Sequence, residues 1–487
     1  MILVDTTIVT VAIPRMQADL GADLTALLWV TSAYLLAYAV PLLITGRLGD
    51  RFGLKTMYMA GLAVFTGASL WCGLAGGVEM LILARVVQGL GAGMMTPQTM
   101  SMITRLFAPQ DRGQPMALWG ATAGVATLVG PIVGGLLVDG PGWEWIFFVN
   151  IPVGVIGLVL AWRTVPRFSR RAHSFDWLGV VLSAVGLFLL VFGIQEGDTF
   201  SWGTITDSLR IGPLETHLPI TVPGLIIAGL LVMAAFVAWQ AVTRREPLVP
   251  LALFRDRNFS VANIAIAMMG ATVLTLSFPV TLFFQRVMGM SPTQAALMTA
   301  PMALVSLGLA PQVGKWMVRR DPRWMAVVGF ASLATGLLWL SRLMTPDASI
   351  VLLLLPFLLV GLGNALVWGP LSLTATRNLA PSMAGAGSGV YNETRQIGSV
   401  LGAAAIATVM NERIGMRLAA ADDVSGPPPG PDADGGASAA LPEPLLAPFA
   451  AAMADALLLP VALAVVGVLA ALAIGRPVDT GAWEQDA

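Results

Sequence analysis

Thirteen apolar runs, each about twenty residues long, follow one another through this chain, near 27–46, 56–75, 80–102, 115–138, 145–164, 176–195, 221–240, 260–285, 293–313, 324–341, 349–374, 385–410 and 455–474. Twenty residues of helix rise about 30 Å, the thickness of a bilayer's hydrocarbon core, where a backbone must satisfy its polar groups within the segment. The chain is therefore read as an all-α integral membrane protein. Of its 487 residues, 56% are apolar and 11% charged, whereas an ordinary soluble domain carries about 25% charge. A further apolar stretch, 1–13, makes only about 20 Å of helix and lacks the basic leader and cleavage site of a signal peptide. It is taken as a truncated first span, with some ten residues of helix expected to be missing ahead of it, and brings the count to fourteen.

Lysine and arginine placement tests that count. Nineteen of the 27 fall in loops after even-numbered spans or in the tail 476–487, six fall in loops after odd-numbered spans, and Arg85 and Arg395 lie within spans. The excess of positive charge marks the cytoplasmic side, so both termini are expected there. Two outer loops are long, 196–219 and 411–448; the second, rich in Pro, Gly, Ala and Asp, reads as flexible and is assigned no structure.

The same survey excludes several classes. A net charge of −1 without a basic tail or patch gives no footing for nucleic acid. Cys72 is the single cysteine and His173 and His217 stand far apart, so neither a disulfide framework nor a thiolate metal site is expected. Lys55-Thr56 follows Leu54 where a phosphate-binding loop needs glycine. No enzyme activity and no cofactor are expected, and the energy must come from a gradient or a partner.

The polar exceptions within this apolar chain carry the functional reading. Gly46 to Lys55, Gly-Arg-Leu-Gly-Asp-Arg-Phe-Gly-Leu-Lys, is read as a tight charged turn between the second and third spans, with Gly46, Gly49 and Gly53 letting helix ends approach and turn. Asp5 lies in the first apolar stretch and Arg85 in the fourth span; counted from the outer ends, they sit about 15 Å and 9 Å deep, within reach of an arginine side chain. An intramembrane acid should face the interior and serve as a proton carrier, unless Asp5 is simply solvated at the membrane face; Arg85 could instead snorkel outward. Gly120, Gly124, Gly130, Pro131, Gly134 and Gly135 give the fifth span close-packing positions and a kink at Pro131. In the thirteenth span Asn392, Arg395, Gln396 and Ser399 share one helix face, which must point inward, and Glu393 is either locally paired with the neighbours of Arg395 or a second titratable acid. A structural cluster and a transport role are equally open there.

These stretches resemble the major facilitator superfamily, and most closely its fourteen-helix drug:proton antiporters of the EmrB/QacA type. Asp50, Arg51, Gly53 and Lys55 match its loop between helices two and three. Leu3 to Pro14 is similar to the helix-one motif, departing from it at Val4 and Thr10. Arg85, Gln88 and Gly89 match the helix-four motif, Gly130-Pro131-x-x-Gly134-Gly135 the antiporter motif of exporters, and Gly385 to Gly398 the helix-thirteen motif. The second-half counterpart of the gate loop, Gly314 to Arg323, carries Val318 in place of Asp50.

The resemblance implies two six-helix bundles, 1–164 and 258–475, with two inserted helices in 165–257. It implies proton-driven export of amphipathic small molecules or drugs across a bacterial plasma membrane, with Asp5 and Arg85 coupling the proton and Asp50 closing the cytoplasmic gate against the start of helix thirteen near Pro381 to Gly385. Trp29, Tyr34, Tyr38, Trp119 and Trp368 are candidate cavity walls or interface anchors. The partners are a small-molecule substrate and the lipid bilayer, with an accessory periplasmic protein left open. The alternatives are a dedicated exporter of one endogenous metabolite, a proton-symport importer and a non-transporting membrane sensor.

Overall fold

The structure, a computed structural model, describes residues 1–22, 24–108, 111–166, 168, 176–197, 199–206, 209–211, 214–216, 219–243, 246–379, 383–419 and 441–475. His173, His217, Pro381 and the tail 476–487 lie outside the described residues. Among the described residues the chain is a succession of helices: α1 (Ile2–Leu20), α2 (Leu24–Ala39), α3 (Leu42–Phe52), α4 (Leu54–Gly73), α5 (Val78–Leu106), α6 (Gly113–Asp139), α7 (Trp145–Phe148), α8 (Asn150–Thr164), α9 (Trp177–Gln195), α10 (Val222–Val242), α11 (Arg257–Leu282), α12 (Pro292–Met298), α13 (Ala300–Arg319), α14 (Pro322–Leu343), α15 (Ile350–Arg377), α16 (Ala384–Ala419), α17 (Glu443–Ala456) and α18 (Leu458–Leu472).

Several of these are halves of one rod. Pro41, which has no N–H to continue the ladder, separates α2 from α3, which meet at 47°. Single residues, Val149, Thr299 and Leu457, interrupt α7–α8, α12–α13 and α17–α18, and α11 runs on through a π-helical turn at Phe283–Val287. Each expected apolar run thus falls on a helix. Among the described residues eight are long and apolar enough to cross a membrane, or nine with the α2–α3 pair as one. The remaining rods include the more polar α1, with Asp5, Arg15 and Asp19, and α16, with Glu393, Arg395, Glu412, Arg413 and Arg417.

Three expectations change, and one loop gains structure. The Gly46–Lys55 stretch is not a ten-residue turn: α3 runs to Phe52, α4 begins at Leu54, and the chain reverses at Gly53 alone, with φ 97° and ψ 131°. That backbone region is closed to most L side chains and open to glycine, so one residue does the turning, while Gly46 and Gly49 are left for packing. The first helix does not stop at residue 13 but continues to Leu20, about 28 Å of rise. In the first long loop β1 (Thr204–Thr206) pairs antiparallel with β4 (Ile220–Thr221), and β2 (Leu209–Ile211) with β3 (Leu214–Thr216). In the second, α16 extends to Ala419 and α17 starts at Glu443, while 420–440 lie outside the described residues.

Packing follows the small residues. α4 lies along α5, α14 along α15, α11 along α16, α9 along α10 and α6 along α13. A Cβ on Gly402 would come within 2.7 Å of Ala271 Cα, which is why α16 and α11 can run in contact. Large apolar side chains point away from these seams: Ile156, Leu160, Leu231 and Val242 are 55–71% exposed, an arrangement that suits lipid and would be costly in water.

Candidate functional site

Among the described residues, two sites bring a buried acid onto an arginine within the apolar interior. The first lies where α1, α5 and α8 converge. Asp5 and Arg85 are both completely buried, and Arg85 Nη1 makes an ion pair with Asp5 Oδ2. The carboxylate also accepts from Gln88 Nε2 at 2.9 Å and from Asn150 Nδ2 at 3.0 Å. Gln88 sits one turn beyond Arg85 on α5, accepts from Arg85 Nη1 at 2.6 Å and donates to Ser69 Oγ of α4 at 2.8 Å. Arg85 Nε donates to the Val30 carbonyl at 3.1 Å, and its guanidinium lies 4.0 Å from the Tyr34 ring centroid, a cation–π contact of about 2 kcal/mol when desolvated. The i, i+3 spacing of Arg85 and Gln88 puts both on one face of α5, and burial leaves the charges no solvent to turn to.

Around this site the small residues set helix distance. A Cβ at Gly89 would come within 2.5 Å of the Tyr34 carbonyl oxygen, bringing α5 against α2. Gly130 of α6 abuts Thr7, and Gly134 abuts Ile8, so α6 lies directly on the turn of α1 that follows Asp5; Gly135 reaches Thr293 of α12. The side chains of Pro131 and Gly124 lie outside the described residues.

The second site closes one end of the molecule. Asp50, 2% exposed, pairs with Arg105 at the end of α5 and stands 4.0 Å from Arg47 Nη1. Its carboxylate lies directly against Gly385, in the first turn of α16, where any side chain would collide with it. A Cβ at Gly46 would come within 2.6 Å of the Gly385 carbonyl oxygen, and one at Gly49 would meet the Gln98 amide. Ser101 Oγ donates to the Ala384 carbonyl at 3.2 Å. Arg112 donates to the Thr104 and Thr376 carbonyls at 2.7 and 3.2 Å, joining α5 to the end of α15. Arg47 donates to the Pro247 and Leu248 carbonyls at 2.6 and 3.1 Å. Lys55 donates to the Trp162 and Val165 carbonyls at 2.7 and 2.6 Å, fastening α4 to the end of α8. Arg51 lies 5.4 Å from the Phe52 ring.

The α16 residues divide. Asn392 is buried and donates to the Ser388 carbonyl at 2.9 Å; Arg395 Nη2 donates to Tyr38 Oη of α2 at 2.9 Å. Gln396 and Ser399 are 6% and 8% exposed, so the shared face points inward. Glu393 is not paired with a neighbour of Arg395: it is 3% exposed and, among the described residues, neither carboxylate oxygen has a hydrogen-bond partner. It follows Asn392 by one position and so stands beside the inward face, and Arg395, two positions further on, turns to Tyr38 instead. Among the aromatic candidates Tyr34, Tyr38 and Trp368 are buried and Trp29 and Trp119 half-buried.

Sequence reasoning brought Asp5 and Arg85 together and gave Gln88 only as part of the helix-four motif; it missed Asn150 and Arg105. Asn150 had a visible signal, a lone amide in an apolar run, which must find a partner in the membrane. Arg105 had none, since it reads as one more basic residue at a helix end.

The sequence profile described as "Major Facilitator Superfamily" matches residues 1–403. An uncharacterized MFS-type transporter of Mycobacterium tuberculosis is 48% identical over 97% of this chain and 78% of its own length. The tetracenomycin C resistance and export protein of Streptomyces glaucescens is 34% identical over 85% and 74%, and a multidrug resistance protein B homolog of M. tuberculosis 32% over 84% and 73%. The solved structure of the proton:xylose symporter XylE superposes with a TM-score of 0.60 at 13% identity, over 98% of this chain and 94% of that one, a likeness of fold. With its helices, its motifs and these relatives in agreement, the chain is a multi-pass membrane protein that belongs to the Major Facilitator Superfamily, among relatives named for multidrug and antibiotic export.

Proposed function

We propose that this chain is a secondary active exporter that exchanges protons for amphipathic small molecules by alternating access. The moving parts are two six-helix bundles, 1–164 and 258–475, with the pair in 165–257 inserted between them and both termini in the cytoplasm. The observation that carries the reading is the fully buried Asp5–Arg85 pair, an acid and a base on different helices with no solvent between them. Asp5 is the proton site in this scheme. While Arg85, Gln88 and Asn150 hold its carboxylate, the charge is balanced without a proton. A shift of α5 relative to α1 that withdraws the guanidinium leaves the carboxylate in an apolar site, where it takes up a proton, and return of Arg85 expels it. One charge moving through 100 mV supplies about 2.3 kcal/mol and one pH unit about 1.4.

Asp50 and Arg105 hold the cytoplasmic gate shut in this conformation, with Gly46, Gly49 and Gly385 allowing contact and Arg51, Gly53 and Lys55 shaping the turn. Glu393 and the Asn392, Arg395 and Gln396 face offer a cationic or polar substrate its contacts between the bundles. The names of the relatives span multidrug and single-antibiotic exporters, and neither the single-metabolite nor the sensor alternative is favoured over broad export.

The decisive test is efflux of a fluorescent lipophilic cation from vesicles under an imposed pH gradient. Wild type concentrates the dye against its gradient; Asp5→Asn should lose uphill movement while still binding dye. Full uphill pumping by Asp5→Asn would end the reading.

A further inference from the structure

The gate loop's counterpart in the second half, Gly314 to Arg323, has no part in the scheme above. Gly314 keeps the packing role: a Cβ there would come within 2.8 Å of Gln114 Cα on α6. Val318, in the place of Asp50, is 59% exposed and closes nothing. Instead the α13–α14 hairpin borders a groove of about 530 Å3, lined by Trp316, Arg320, Asp321, Trp324, Val328 and Leu366. Trp316, Trp324 and Val328 are 40%, 57% and 51% exposed, so the groove opens on the outer face of the helices at the end that carries the gate.

Charge and wall chemistry together describe an occupant. Arg320 lines the groove, Lys315, Arg319 and Arg323 flank it in the same hairpin, and among the described residues none of the four makes an ion pair. Arg323 stacks 5.3 Å from the Trp324 ring, and its buried Nε has no hydrogen-bond partner among the described residues. The one acid, Asp321, is engaged in capping α14, accepting the Arg323 N–H at 3.0 Å. Tryptophans occupy the headgroup level of a bilayer, and basic clusters beside a span attract anionic lipid. Below them the wall is apolar, through Val328 and Leu366. We infer that this groove is a binding site for one anionic phospholipid, its phosphate against Arg319, Arg320 and Arg323 and an acyl chain between Trp316 and Trp324. The inference is independent of the transport cycle, since it concerns binding alone.

The full chain, purified in neutral detergent, is titrated with brominated phosphatidylglycerol and, separately, brominated phosphatidylcholine, reading tryptophan quenching. With 14 tryptophans in the chain, the signal of the two groove residues is taken as the difference from Trp316→Phe/Trp324→Phe. Phosphatidylglycerol should quench the groove at about tenfold lower concentration than phosphatidylcholine. The exposed pair Arg319→Gln/Arg320→Gln should weaken it about 25-fold, from roughly fivefold per charge. Val328→Trp keeps every charge and fills the groove, and should abolish quenching. Equal quenching by both lipids, no loss in the double variant, or undiminished binding in Val328→Trp would overturn the site. Displacement of the lipid by inorganic phosphate would overturn the lipid as its occupant.

Discussion

The side-chain amide of Asn150, the first residue of α8, donates to the Asp5 carboxylate of α1 across 3.0 Å, although the two lie 145 residues apart. This bond adds α8 to a site whose other groups come from α1, α2, α4 and α5. Asn150→Leu removes a donor from a buried carboxylate and should lower gradient-driven efflux about tenfold, a cost of roughly 1.4 kcal/mol for one hydrogen bond to a charged group. Asn150→Asp sets a second carboxylate at the same distance and should be worse still. Initial efflux rates in vesicles, normalised to protein, check both; equal rates for wild type and Asn150→Asp would deny α8 any part in the site.

The Asp5–Arg85 pair should show its coupling in stability as well as transport. Removing one partner leaves the other charge buried and uncompensated, at about 3–5 kcal/mol. Arg85→Gln is therefore expected to melt well below wild type in detergent, and Asp5→Asn/Arg85→Gln to recover much of the loss. Thermal melts of the four proteins form a double-mutant cycle, and strict additivity would show that the two charges do not sense each other.

At the proposed gate, Asp50 touches both Arg105 and Gly385, so Asp50→Asn, Arg105→Gln and Gly385→Val should each cut transport without cutting expression. Asp50→Asn combined with Arg105→Gln should be no worse than either alone, because both break one pair. A disulfide between Ser101→Cys and Ala384→Cys, whose parent residues are joined by a 3.2 Å hydrogen bond, should arrest efflux until reduced. Unimpaired efflux from the oxidised protein would show that this end need not open.

Gly53 is the hairpin's single turning residue, at φ 97°. Gly53→Ala should destabilise by about 1–2 kcal/mol through the left-handed backbone alone, with a lower melting temperature. An unchanged melt would mean that the α3–α4 turn relaxes freely.

Glu196 caps the C-terminal end of α9 at 4% exposure. Burial pushes its carboxyl above the usual range, opposed by a hydrogen bond from Thr199. A folded value above the unfolded one contributes stability at low pH that is lost as pH rises through the folded value. Glu196→Gln should accordingly match wild type near about pH 4 and melt above it at about pH 7 to 8. Parallel curves at all pH values would assign the carboxyl no such effect.

Much of this was legible in the residues themselves, and for one reason: hydrocarbon forbids unpaired polar backbone and makes an isolated charge expensive, so twenty-residue apolar runs must be helices and Asp5 must find a base such as Arg85. Local rules of that kind do not reach across the chain. Which base meets Asp50, that Asn150 joins Asp5, and that Glu393 has no hydrogen-bond partner among the described residues depend on how helices 50 to 350 residues apart come together. The turn at Gly53 shows the same boundary on a smaller scale, since Gly46 and Gly49 carry the composition of a turn but are held in α3 by their contacts with Gly385 and Gln98. The order and type of the elements followed from the solvent the chain must live in; the pairing of its few polar groups was decided by which small residues let which helices touch.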